Sequence, residues 1–227
     1  MAVDAGLTDL FGEFDPAMVA AIQASKAEED KQDGAARAAR AAHRMQVRRA
    51  KAEAQLAEIL PDRFEPGDSW HVISHGDIDA LSYLTHALKG VPYFDYVAIS
   101  TWCVARTDLE QIAAWLDAGR IDQFDLYAGE IFPSQYGDEH EYMLELCETY
   151  GCKLVIARNH SKVTLASLAE EDYYLAMESS ANVNTNPRIE QTAVHASRDL
   201  FEFYKEFFDG IRSIDRSASR AKGTTRA

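Results

Sequence analysis

From Trp70 to Asn159 apolar runs of strand length alternate with amphipathic runs of helix length, and this rhythm constrains the fold more than any other feature of the chain. The segments "SWHVISH", "DYVAISTW", "QFDLYAGE" and "KLVIARN" predict four strands. Between them, "DIDALSYLTHALKG" places Ile78, Leu81, Leu84 and Leu88 on one helical face. "TDLEQIAAWLDAGR" reads as a helix with Thr107 before it and Gly119 at its end, and "DEHEYMLELCETYG" as a third helix. Strands joined through helices share one direction and cross over right-handedly. The expectation is therefore an α/β domain with a mixed, largely parallel sheet flanked by helices, and ligands at the carboxyl ends of its strands.

After Asn159 the rhythm changes. "HSKVTLASL", "DYYLAMES" and "PRIEQTAVHAS" predict strands joined without helices, before an amphipathic closing helix, "SRDLFEFYKEFFDGIRS". The first 62 residues read as a helical arm with a break at Gly34. In its second half Arg37, Arg40, Arg44, Arg48 and Lys51 recur every three to four residues and form one basic stripe. That stripe suits a solvated face, a coiled-coil or other protein partner, or contact with nucleic acid. The expected divisions are thus an arm over 1–62, a domain over 63–214 and a basic, disordered tail over 215–227.

The composition fits a packed domain: of 227 residues 47% are hydrophobic and 10% aromatic. No run is long and apolar enough to span a bilayer, and the start lacks the pattern of an export signal, so no membrane contact and a cytoplasmic location are expected. Cys103, Cys147 and Cys152 are too few and too unevenly spaced for a disulfide framework, and no histidine follows Cys152 at finger spacing; no metal or other cofactor is expected. The formal net charge is −14, yet residues 31–52 carry seven Lys or Arg against one acid, and residues 211–227 carry five against one. An acidic body with basic ends argues against a broad nucleic-acid surface while leaving local phosphate contacts open.

One segment conflicts with a plain core strand. "ARNHSKVTL" puts His160 and Lys162 two apart, on one face if the backbone is extended, and lysine is rarely buried without a partner. Downstream, "ESSANVNTNPRIEQ" offers Ser180 and Asn182 two apart, then Glu190. Lysine, serine and asparagine donors suit the charge that builds on phosphate oxygens in a transition state, and an imidazole can attack phosphorus while a carboxylate orients it. Taken alone, a His-x-Lys pair is a weak signal, and serine and asparagine often serve turns.

As an ordered set, these residues resemble the phospholipase D superfamily, in particular its single-motif nucleases, over about residues 70–214. The family pattern of H-x-K, four residues, D, then G-S-x-N and an acid or amide is matched by His160, Lys162, Ser180, Asn182 and Glu190. Ser167 stands at the aspartate position and Ser179 at the glycine. The resemblance implies a phospholipase D-like half-barrel or sandwich and a metal-independent phosphodiesterase, a nuclease working through phosphohistidine at His160. Since one motif supplies half of a two-histidine site, it also implies a homodimer. The alternative is a catalytically degenerate member serving as a nucleic-acid-binding or protein-interaction module. His75 and Asp77 follow the first strand; either could line the cleft, and Asp77 could instead cap the next helix.

Overall fold

The computed structural model describes residues 49–76, 78–183 and 188–214. The expectations for Arg37, Arg40, Arg44, Arg48, Asp77 and the 215–227 tail lie outside those residues. Two units divide the chain after residue 47, and the described residues belong to the second. It opens with a helix, α1 (residues 49–59), followed by β1 (Ser69–Ser74), α2 (Ala80–Lys89), β2 (Phe94–Thr101), α3 (Arg106–Asp117) and β3 (Ile121–Gly129). A short α4 (Phe132–Gln135) leads into α5 (Gly137–Tyr150), then β4 (Lys153–Ala157), β5 (Val163–Leu168), β6 (Tyr173–Ser179), β7 (Glu190–Ala196) and α6 (Arg198–Asp209).

The seven strands form a single open sheet in the order β1-β7-β6-β5-β2-β3-β4. Only β2–β3 and β3–β4 pair in parallel, and the other four pairings are antiparallel. Five strands nevertheless share one direction, because each reversal is followed by another: β1, β6, β2, β3 and β4 run together while β7 and β5 run back. The carboxyl ends of those five strands and the starts of β5 and β7 therefore meet at one end of the sheet.

Burial follows position. Central β2 is buried on both faces and carries an apolar run from Tyr96 to Ile99; edge strand β1, SWHVIS, buries only Val72. One face packs against α1, α2, α3 and α5 in a continuous apolar core that includes Val72, Val97, Ile99, Phe124, Leu154 and Val194. The other face carries Tyr96, Ala98, Tyr127, Val155, Val163 and Leu165, and the helix packed with them is α6, through Phe201 and Phe208.

The packed unit starts earlier than residue 63. Ala52, Leu56 and Leu60 of the α1 region are buried in the main core, and the Arg49 guanidinium lies 2.6 Å from Asp108 and 3.6 Å from Asp79. The backbone of Asp62 also passes so close to Gly90 that a Cβ there would stand 2.0 Å from the Asp62 carbonyl oxygen. Only glycine fits at that crossing. The cap of α2 is Asp79, whose carboxylate accepts from the Ser82 backbone N–H, and α3 begins at Arg106, one residue ahead of Thr107.

Candidate functional site

His160 and Lys162 do not lie on a strand. β4 ends at Ala157 on one side of β3, and β5 begins at Val163 on the far side of β2, so residues 158–162 must cross the ends of both intervening strands. Asn159 holds that crossing. Its Nδ2 donates to Ser100 Oγ at 2.9 Å and to the Tyr127 carbonyl at 2.8 Å; its Oδ1 accepts from the Ser161 backbone N–H at 3.0 Å and from Ser161 Oγ at 2.7 Å. Ser100 Oγ and Ser161 Oγ are 2.6 Å apart. The donors close into a ring, Asn159 to Ser100 to Ser161 and back to Asn159, which fixes the loop over β2 and β3. The alternating pattern hid this turn, although Asn and Ser flanking a histidine are turn formers.

His160 is exposed at the apex of this loop, and its ring lies 5.7 Å from that of Trp102, just beyond β2. Trp102 in turn presses on Gly129, where a Cβ would stand 2.7 Å from the indole. The half-buried Lys162 ammonium donates to the His160 carbonyl at 2.7 Å and lies 3.0 Å from Nδ1 and 3.4 Å from Nε2 of the same imidazole. The ammonium is thus held against the edge of the imidazole, and which ring nitrogen can accept from it depends on the tautomer. Burial lowers the Lys162 pKa from its ordinary value, and the charges of Cys103 and Glu190 oppose that shift. Cys103 is itself buried, and a bond to its thiol raises the Tyr136 phenol pKa, with burial adding to the shift.

Ser180 and Glu190 meet where β6 turns into β7. The Ser180 hydroxyl donates to Glu190 Oε2 and accepts from the Gln191 backbone N–H at 3.0 Å, while the Ser180 N–H donates to the Gln191 carbonyl at 2.9 Å. The hydroxyl expected to face phosphate is thus committed to the nearly buried Glu190. Asn182 is half-buried; its backbone carbonyl accepts from the Ala80 N–H at 3.3 Å, and among the described residues its enclosed Oδ1 has no hydrogen-bond donor.

The other expected contacts separate. His75 is exposed beyond the carboxyl end of β1, at the same end of the sheet as His160. Lys51 is exposed on α1. Ser167 lies toward the opposite end of β5, buried, with its hydroxyl donating to Asp95 Oδ1 at 2.5 Å; the other oxygen of Asp95 accepts from the Ala169 N–H at 2.6 Å. A carboxylate is present at that position after all, supplied by β2 rather than by β5. Trp102, Asn159 and Asp95 were not singled out in the sequence, because each acts across strands remote in the chain.

Among the described residues no group of three or more His, Cys, Asp or Glu is arranged to hold a metal ion, and no helix is long and apolar enough to cross a membrane. Cys147 and Cys152 are buried thiols in no disulfide, and burial pushes both up to about 12.

No protein-family model matches the chain, and no curated protein matches it. Among solved structures, polyphosphate kinase from Porphyromonas gingivalis superposes with a TM-score of 0.47 at 18% identity, covering 63% of this chain and 24% of that one. Phosphatidylserine synthase from Haemophilus influenzae gives 0.47 at 12% identity, over 62% of this chain and 37% of the other. TrmBL2, an archaeal chromatin protein that binds DNA, gives 0.46 at 9% identity, over 87% and 69%. The chain thus spans about a quarter of the kinase's length and well under half of the synthase's. The architecture is a mixed α/β fold with an open seven-stranded sheet flanked by helices.

Proposed function

We propose that the protein is a phosphodiesterase of phospholipase D type that acts on nucleic acid through a phosphohistidine at His160. The observation that carries this reading is the His160–Lys162 pair on a loop pinned by Asn159 at the carboxyl end of the sheet, with Glu190 close enough to act on the lysine charge. A substrate phosphate draws the Lys162 ammonium from the imidazole. The freed ring nitrogen attacks phosphorus, the bond to the leaving oxygen breaks, and that oxygen takes a proton from a second imidazole, His160 of the partner subunit. Water then cleaves the phosphorus–nitrogen bond and regenerates His160. The proposal includes a homodimer, because the chain carries one His-x-Lys pair, and a cytoplasmic setting.

The test is cleavage of bis-p-nitrophenyl phosphate and of single-stranded DNA in EDTA. The expected result is turnover that survives chelation, an acid-labile phosphoryl adduct on His160, and its loss in His160→Ala. Lys162→Ala should cost about a hundredfold or more in rate, as loss of other preorganised charge donors does. A second reading, a binding module without turnover, is favoured by the engagement of Ser180 with Glu190. DNA binding that persists unchanged in His160→Ala, with no cleavage by either protein, would select it.

A further inference from the structure

A second set of chemically capable side chains lies on the α6 side of the sheet, away from the His160 loop. Ser69 opens β1 and pairs across the ladder with His195 of β7, whereas the glutamate at the His160 end, Glu190, pairs with Ser74. Five residues of extended strand, about 17 Å, separate the two positions. Ser69 Oγ lies 2.9 Å from His195 Nδ1. On the other side of the same ring, His195 Nε2 is enclosed and stands 3.2 Å from Glu178 Oε2, an ionic contact that falls short of an aligned hydrogen bond. The Tyr204 hydroxyl donates to the second oxygen of Glu178 and anchors it to α6. A fourth group joins them: His71 Nε2 is 3.4 Å from Ser69 Oγ, and its ring meets that of His195 edge-on at 5.9 Å.

A hydroxyl, an imidazole and a carboxylate in series form an arrangement in which serine becomes a nucleophile. The imidazole takes the hydroxyl proton, and the carboxylate stabilises the imidazolium that results. Here Nδ1 faces the serine and Nε2 the acid, and either ring nitrogen can serve as base. Ser69 is exposed at the edge of the sheet, where alternate backbone N–H groups of β1 point away from the ladder. Exposed apolar side chains lie on the same side of the sheet: Ile73, four residues along the same face of β1, is 77% exposed, and Phe203 of α6, next to Tyr204 in sequence, is 64% exposed.

We infer that Ser69, His195 and Glu178 form a second catalytic site, a serine esterase centre for carboxylic esters with an apolar acyl group. Ser69 Oγ attacks the ester carbonyl carbon and its proton passes to His195 Nδ1. The carbon–oxygen bond to the alkoxy group breaks, and that oxygen leaves with the proton from His195. Water, deprotonated by the same nitrogen, releases the acid and restores Ser69. His71 Nε2–H and the outward N–H groups of β1 are the donors for the charge on the carbonyl oxygen.

The experiment treats the full chain with an alkyl fluorophosphonate and, separately, with p-nitrophenyl butyrate. One adduct on Ser69, found by peptide mass mapping, is expected, together with butyrate hydrolysis that Ser69→Ala abolishes. His195→Gln should slow adduct formation by about a hundredfold or more. No adduct on the folded wild-type chain, an adduct on another residue, or an unchanged labelling rate in His195→Gln would overturn the assignment.

Discussion

The two faces of the sheet are built on different principles. The face toward α1, α2, α3 and α5 is largely apolar, with enclosed polar contacts at separate points: Arg49 meets Asp79 and Asp108, and Thr192 meets Ser179 at 2.8 Å. The face toward α6 mixes apolar packing with hydroxyls and charges. Tyr96 donates to the buried Asp125 at 3.1 Å, Lys153 donates to the Tyr127 hydroxyl at 2.9 Å, and Lys205 pairs with Asp209 at 2.6 Å. Burial raises the Asp125 pKa, and it raises the phenols of Tyr96 and Tyr127 with help from that carboxylate. For Asp209 burial also pulls upward, but Lys205 and Lys153 more than offset it and the pKa falls. Burial under four helices encloses the few polar groups of the first face, whereas the face with one helix keeps more of its hydroxyls and charges near solvent.

This contrast can be broken most severely at α1. A chain that starts at residue 63 loses Leu56, Leu60 and Arg49 together, and its thermal transition should cease to be cooperative in calorimetry. Arg49→Leu should cost about 3–5 kcal/mol in urea titration, because it leaves the buried Asp108 carboxylate without its partner. On the α6 face Tyr127→Phe, which removes one hydroxyl bonded to Asp209 and Lys153, should cost only about 1 kcal/mol. Phe203→Ser should lie within about 0.5 kcal/mol of the parent, since that ring is already in solvent. Equal losses at Arg49 and Tyr127 would erase the distinction.

Asp108 sharpens the comparison through pH. Burial raises its pKa to about 6, and the bond to Arg49 holds it from rising further. The unfolded carboxyl titrates near its ordinary value, so between about pH 4 and pH 6 the folded chain binds the proton more tightly. This group's contribution therefore makes stability fall as pH rises through that window and level off above it. Asp108→Asn should flatten the slope, measured as the denaturation midpoint against pH. Ser167→Asp gives a further test: it sets a second carboxylate against Asp95 and should lower both stability and any phosphodiesterase activity.

The strand–helix rhythm from Trp70 to Asn159, the helix-free run of strands after it and the closing α6 were all legible in the chain, because alternation and amphipathic spacing are local properties. So were the residue types of the His160 site. What local pattern could not reveal was sheet order. Placing β5, β6 and β7 between β1 and β2 is what makes residues 158–162 a crossing loop, lifts His160 and Lys162 out of the strand, and brings Asn159 onto Ser100 and Tyr127. The same order aligns Ser69 with His195, and it lets Asp95 of β2 meet Ser167 of β5. Residue chemistry and periodicity are written along the chain. Which distant strands become neighbours depends on the burial of both sheet faces at once, and only the folded structure decided it.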